Sequence, residues 1–220
     1  MSRSVEREIA CPHCRTPQLF TFWESINAQE DPALKARVES GEVFDFTCPA
    51  CGRVSRIGYP LLYHDPARKT MIFLADDSER QQAFDILDAL LMLPASAMAM
   101  GGYTIRAVTK PMELSEKILL ADRGLDDRVV ELTKLMIYVN YLREHPKASV
   151  RQMLLVDAEG LRYLTFVQGD EYPLSTPFTQ ETYEEIRAQH SPFFPKAPQE
   201  NLFVDLGWAA ARLTPSDNVQ

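Results

Sequence analysis

The 220-residue chain lacks the local signatures that most enzymes carry. It contains no G-x-S-x-G elbow, no H-E-x-x-H pair, no phosphate-binding loop and no dinucleotide fingerprint, so those four chemistries have no residues to rest on. Its only double glycine, Gly101-Gly102, does not follow a strand and open a helix, which argues against a phosphate cradle. Histidines number four and do not cluster in sequence. Long apolar runs are missing as well. The most apolar stretch, residues 86–100, is interrupted by Asp88 and Pro94 and is shorter than the ~20 residues a membrane-spanning helix needs. The first nine residues hold Arg3, Glu6, Arg7 and Glu8 with no apolar segment, so no secretory signal is read there. Cations are in deficit: 23 Lys and Arg against 31 Asp and Glu leave a net charge of −8, which opposes binding to a phosphate backbone. Membrane association is not expected, and the cytoplasm is the compartment these features suggest.

Cysteine is scarce too, but its placement is informative. All four cysteines fall in two short motifs, Cys11-Pro12-His13-Cys14 and Cys48-Pro49-Ala50-Cys51, with 33 residues between Cys14 and Cys48. Two residues between cysteines let both sulfurs of a tight turn face one point, and two such turns supply the four thiolates that Zn²⁺ accepts in a closed structural site. Proline after each first cysteine fixes φ, and Gly52 after Cys51 tolerates a positive φ, whereas Arg15 occupies the matching place in the first turn. Iron also suits four thiolates. A disulfide framework expects an oxidising compartment and a smaller chain, and a redox dithiol expects one pair opening a helix. The metal ligands read from the sequence are therefore Cys11, Cys14, Cys48 and Cys51, with structural Zn²⁺ as the cofactor. His13 lies between two of them and is expected to face solvent.

Around the motifs the pattern predicts an extended arm over 3–10, an aromatic strand over 18–26, and a helix opening at Asp31-Pro32 and closing at Gly41. A strand over 43–46 leads into the second motif. Residues 53–63 and 70–74 read as a hairpin about the turn at 64–69, with a bend at Pro60. Ser78 to Gln81 matches a capping box for a helix bearing Phe84, Leu87, Leu90 and Leu91, which Pro94 would end. Residues 95–102 read as a connector before a strand over 103–108. A short helix over 115–122 and a longer one capped by Asp126 follow, the latter with Val129, Leu132, Leu135, Met136, Val139 and Leu142 at helical spacing. The remainder reads as strands over 151–156 and 161–167 joined by a turn at 157–160, a helix over 180–189, a Pro-rich turn over 191–198, a strand over 202–206, and a polar tail from Pro215. The class expected is α+β: a mostly antiparallel sheet with a zinc-ribbon-like Cys₄ knuckle pair and covering helices. A soft boundary near 75–78 divides a zinc-binding β module with a helical insert, 1–75, from an α+β part, 76–220, that could share its core.

The paired Cys-Pro-x-Cys turns, the acidic and helical insert, and the segment Tyr59-Pro60-Leu61-Leu62-Tyr63-His64-Asp65-Pro66 resemble the CpXC family of prokaryotic proteins. The resemblance covers about the first half of the chain. It implies a bound metal and carries no activity with it.

Other candidates have plainer explanations. His64-Asp65 could be an acid–base pair, but a hairpin turn explains both residues. His145 and His190 fit helix ends. The acidic groups Asp76-Asp77, Asp122 with Asp126-Asp127, Asp157 with Glu159, and Asp170-Glu171 could hold Mg²⁺, yet caps and turns account for each. The leading expectation is a zinc-binding module for a protein or small-molecule partner. A metal-dependent hydrolase or nuclease using carboxylates of the second half is the enzymatic alternative, and zinc-ribbon binding to nucleic acid is the other.

Overall fold

Alternating side chains and turn residues set the strands of the N-terminal part. β1, Arg3–Ala10, turns back through the first cysteine motif into β2, Pro17–Asn27, and the two pair antiparallel from Arg3↔Ser25 to Ala10↔Pro17. α1, Pro32–Glu39, begins with proline at its first turn, where a missing N–H costs nothing, and Gly41 follows it at φ +78. Asp31 stands at the expected cap position, but its carboxylate accepts from the Ser2 hydroxyl and gives no side-chain cap to the helix. The strand expected over 43–46 starts later: Glu42–Phe44 forms one 3₁₀ turn, and β3 covers Asp45–Thr47. β3 pairs antiparallel with β4, Val54–Arg56, across the second cysteine motif.

The single arm expected over 53–63 is two strands. The stretch through Gly58 and Pro60 separates β4 from β5, Leu61–Asp65, since proline cannot donate to a ladder. β5 pairs antiparallel with β6, Thr70–Leu74. In both strands alternate residues are buried: Leu61, Tyr63 and Asp65 on one, Thr70, Ile72 and Leu74 on the other. Asp76 accepts from both the backbone N–H and the hydroxyl of Ser78, so the capping box expected at Ser78 does not form, and α2 runs Arg80–Leu91 behind a 3₁₀ turn. β7, Thr104–Val108, then pairs parallel with β6. α3 spans Pro111–Asp122, starting a turn before the expected 115 because proline is suited to a first helical position.

The resulting sheet has the order β1-β2-β5-β6-β7, with β3-β4 a separate ribbon. Its apolar core joins Ile26, Tyr63 and Ile72 of the sheet to Val38 of α1 and to Leu114 and Ile118 of α3. Each such aliphatic or aromatic side chain, fully buried, contributes about 1.5–3 kcal/mol. The Ser115 hydroxyl adds a tie by donating to the Val38 carbonyl at 2.9 Å.

The computed structural model describes residues 1–93, 101–147, 150, 152–158, 161–167 and 175–213. The connector over 95–100, the helix stop at Pro94, Arg151, the turn residues Glu159 and Gly160, the pair Asp170-Glu171 and the polar tail lie outside them. Two compact units divide the chain, Met1–Leu119 and Leu120–Gln220. The division thus falls later than 75–78, because β7 and α3 belong to the sheet and core begun by the first 74 residues. The second unit holds α4, Asp127–Glu144; the antiparallel strands β8, Gln152–Ala158, β9, Leu161–Val167, and β10, Ser175–Pro177; α5, Gln180–His190; and α6, Leu206–Leu213. Asp126 caps α4 as expected, accepting from the Arg128 N–H at 3.0 Å, and Thr179 caps α5. Residues 202–206 are not a strand: 202–205 are irregular, and Asp205 accepts from the Trp208 N–H at 2.8 Å and opens the helix that begins at Leu206.

Five of the seven strand pairings among the described residues are antiparallel, so the molecule is α+β with mostly antiparallel sheets. No helix among the described residues is long and apolar enough to cross a membrane.

Candidate metal centre

Both cysteine motifs close hairpins, and they do so with the same backbone bonds. In the β1–β2 loop the Arg15 N–H donates to the Cys11 carbonyl at 3.0 Å and the Cys11 N–H donates to the Thr16 carbonyl at 3.0 Å. In the β3–β4 loop the Gly52 N–H donates to the Cys48 carbonyl at 2.8 Å and the Cys48 N–H donates to the Arg53 carbonyl at 2.9 Å. The residue after the second cysteine is left-handed in each: φ is +64° at Arg15 and +71° at Gly52. The two turns are therefore equivalent in backbone although the sequence makes them look unlike. A side chain in that conformation costs about 1–2 kcal/mol, which Arg15 carries and Gly52 avoids.

These loops bring the four sulfurs together. All four Sγ atoms lie within 4.8 Å of one another, and none is in a disulfide. Cys11 and Cys51 are 3.9 Å apart across the two turns, and Cys14 and Cys48 are 3.7 Å apart. Four sulfurs at ~2.3 Å from one tetrahedral ion would be separated by ~3.8 Å, which the two separations across the turns match, so the donor set is compatible with a metal centre. Cys11 and Cys48 are fully buried with Phe46, against which Ile9, Phe20 and Ile57 pack, while Cys14 and Cys51 face outward. Apolar side chains thus close one side of the cluster.

Local donors favour thiolate in the first turn. The Thr16 hydroxyl, 3.3 Å from the Cys14 sulfur, and then the Thr16 N–H bring the Cys14 thiol down to about 6. The Cys14 N–H, with that of His13 at 3.4 Å, lowers Cys11 against the opposing effect of burial. At Cys51 the Arg53 N–H pulls downward, but desolvation and the three neighbouring thiols outweigh it and hold the group at about 11. That split is what four close sulfurs require without a cation, since each further negative charge is harder to place.

The remaining sequence candidates do not join the cluster. His13 is exposed, with its Nδ1 3.3 Å from an Arg53 guanidinium nitrogen. His64 meets the Tyr103 hydroxyl through Nε2 at 3.2 Å. Asp65 is buried and structural, accepting from the Arg68 N–H at 3.1 Å in the turn and from Lys35 at 3.4 Å. His145 and His190 do stand at the ends of α4 and α5. Asp157 pairs with Arg123 at 2.6 Å, and Asp126 holds Arg128 at 2.7 Å. Among the described residues the four cysteines are the only group of three or more metal-ligating side chains gathered in one place. Sequence reading missed Thr16, whose hydroxyl reaches Cys14; a hydroxyl two residues beyond a second cysteine was the available signal.

The architecture defines a class: an α+β protein in which a four-cysteine cluster, compatible with metal binding, joins the ends of two β-hairpins. Within it the chain belongs to the CpXC family, whose profile, described as CpXC protein, matches residues 9–134. That match spans both cysteine turns and extends through β7 and α3 into α4. No curated protein and no solved structure matches the chain.

Proposed function

We propose that Cys11, Cys14, Cys48 and Cys51 bind one zinc ion in a closed structural site, and that the protein is a cytoplasmic module for binding a protein or small ligand. The observation carrying the metal reading is the fit of the Cys11–Cys51 and Cys14–Cys48 separations, 3.9 and 3.7 Å, to a tetrahedral sulfur cage. Four thiolates leave no coordination position for water, so zinc held there contributes to folding and does not generate a nucleophile. Structural zinc in small peptides binds with about 10–16 kcal/mol of apparent free energy at neutral pH. That is ample to hold two short hairpin ends whose own buried surface is limited to Cys11, Phe46, Cys48 and their neighbours. Metal analysis of the purified chain tests this, with close to one zinc per chain expected. Iron in its place, or no metal, would overturn the zinc assignment. The hydrolase or nuclease alternative gains no support from Asp76, Asp126 and Asp157, which serve caps and ion pairs. The net charge of −8 disfavours nucleic acid as the partner.

A further inference from the structure

We infer that the cleft between β2 and β3 takes an extended peptide strand from a partner protein, one carrying an apolar side chain and a carboxylate. The inference rests on the binding-module reading above and names its surface and ligand.

β1 covers one edge of β2 along its length, but on the other edge β5 pairs only with Ser25, Ile26 and Asn27. From Leu19 to Trp23 that second edge has no strand beside it among the described residues. The direction of its backbone groups follows from the hairpin: the Cys11 N–H donates to the Thr16 carbonyl at 3.0 Å, so by alternation Gln18, Phe20 and Phe22 face β1 while Leu19, Thr21 and Trp23 face away. Because a strand alternates with period two, the N–H and C=O groups of Leu19 and Thr21 point the same way as those of Trp23. Across the cleft, the Ile57 N–H donates to Phe44 at 2.8 Å and the Cys48 N–H donates to Arg53 at 2.9 Å, so Phe44, Phe46 and Cys48 face β4. Thr47 then presents its N–H and C=O, and Asp45 its C=O, to the opposite side, while the Asp45 N–H closes the 3₁₀ turn on the Glu42 carbonyl.

Those outward-facing residues, Leu19, Thr21, Asp45 and Thr47, line one cavity of about 410 Å³, within the range of ligand clefts. Two ladder edges facing one space present donors and acceptors at strand spacing. An extended backbone satisfies them in sequence, as in strand addition, whereas a compact small molecule would leave most of them unmatched. Phe20, Phe46 and Pro49 supply apolar wall, and Leu19 is 68% exposed at the rim. Charge selects the second feature. Arg37 lines the cavity; Glu42 pairs with its Nε at 3.6 Å, beyond hydrogen-bond reach, so that buried Nε makes no hydrogen bond. Asp45 is already held by Arg56 at 3.0 Å. The cleft therefore offers a cation whose buried Nε makes no hydrogen bond, in a protein that is otherwise acidic.

The test is selection from a library of random twelve-residue peptides displayed on phage, against the full zinc-loaded chain. Recovered peptides are expected to alternate apolar residues with Asp or Glu. On saturation they should slow amide exchange at Leu19, Thr21 and Thr47 by about tenfold or more. Arg37→Gln should weaken binding about tenfold, the loss of one charge-assisted bond, without changing zinc content or thermal unfolding. Thr21→Pro removes an N–H that the β1 ladder does not use and should weaken binding similarly, while Arg7→Gln on exposed β1 should not. Failure to enrich any peptide overturns the inference, as do peptides that leave those amides unprotected or bind both variants as well as the parent. Peptides that bind this way to a chain found to hold no zinc would retain the inference and overturn the zinc reading. A zinc-loaded chain that enriches nothing would do the reverse.

Discussion

At Arg15 and Gly52 the backbone asks two unlike residues for the same left-handed turn. Nothing lies within 4 Å of a Cβ built on Gly52, so Gly52→Ala would meet no clash and its cost is purely conformational. Denaturant titration of the metal-loaded variant is expected to show a loss of about 1 kcal/mol. Arg15→Gly should cost nothing or stabilise, because relief of strain offsets the added freedom of the unfolded chain. Equal stability of Gly52→Ala and parent would remove the argument that both turns share one geometry. His64 gives a second residue-scale outcome. Burial lowers its pKa below the ordinary 6.5, against the pull of Asp65 and Glu30 and with a smaller push from the N-terminal amine. A depressed histidine means the unfolded chain binds more protons, so its contribution is present above pH 6.5 and is lost as pH falls through the folded value. Urea unfolding at pH 7.5 and 5.5 should show the parent losing more stability than His64→Asn, and an identical loss would contradict the assignment.

Among the elements, the Tyr59 hydroxyl ties the segment before β5 to the chain entering β3 by donating to the Val43 carbonyl at 3.0 Å, and burial holds its pKa up at about 12. Tyr59→Phe leaves the Val43 carbonyl unpaired and should cost about 1–3 kcal/mol in urea unfolding, with the ring packing against Phe22 and Phe44 retained. A change below a few tenths of a kcal/mol would mean the bond is not made. Legibility in the sequence was uneven at this scale for physical reasons. Aromatic strands and the Asp126 cap were readable because their signals are local. The box at Ser78 failed because Asp76, two residues earlier, takes the Ser78 hydroxyl. The last helix was missed although Asp205 ahead of Leu206 is a cap of the same kind. Parallel pairing of β6 with β7, and of β2 with β5, depends on contacts across tens of residues and leaves no local trace. The cleft beside β2 was invisible for the same reason, whereas the four ligand candidates were legible since two residues between cysteines specify a turn by themselves.

For the whole molecule, the tips of the β1–β2 and β3–β4 hairpins share only the small cluster around Cys11, Phe46 and Cys48, while Ile26 of β2 and Val43 and Phe44 ahead of β3 pack into the larger core of the five-stranded sheet with α1 and α3. Cys48→Ser, or chelation at neutral pH, should therefore open β1–β4 to proteolysis and amide exchange first, with the Leu120–Gln220 unit keeping its protection. Unchanged protease resistance over residues 1–75 would argue against a structural ion. The account stands or falls on four sulfurs sharing a single zinc, and X-ray absorption at the zinc edge reads that shell directly. Four sulfur scatterers at ~2.3 Å, with no nitrogen or oxygen, are expected. A shell containing nitrogen or oxygen ligands, or fewer than four sulfurs, would contradict it.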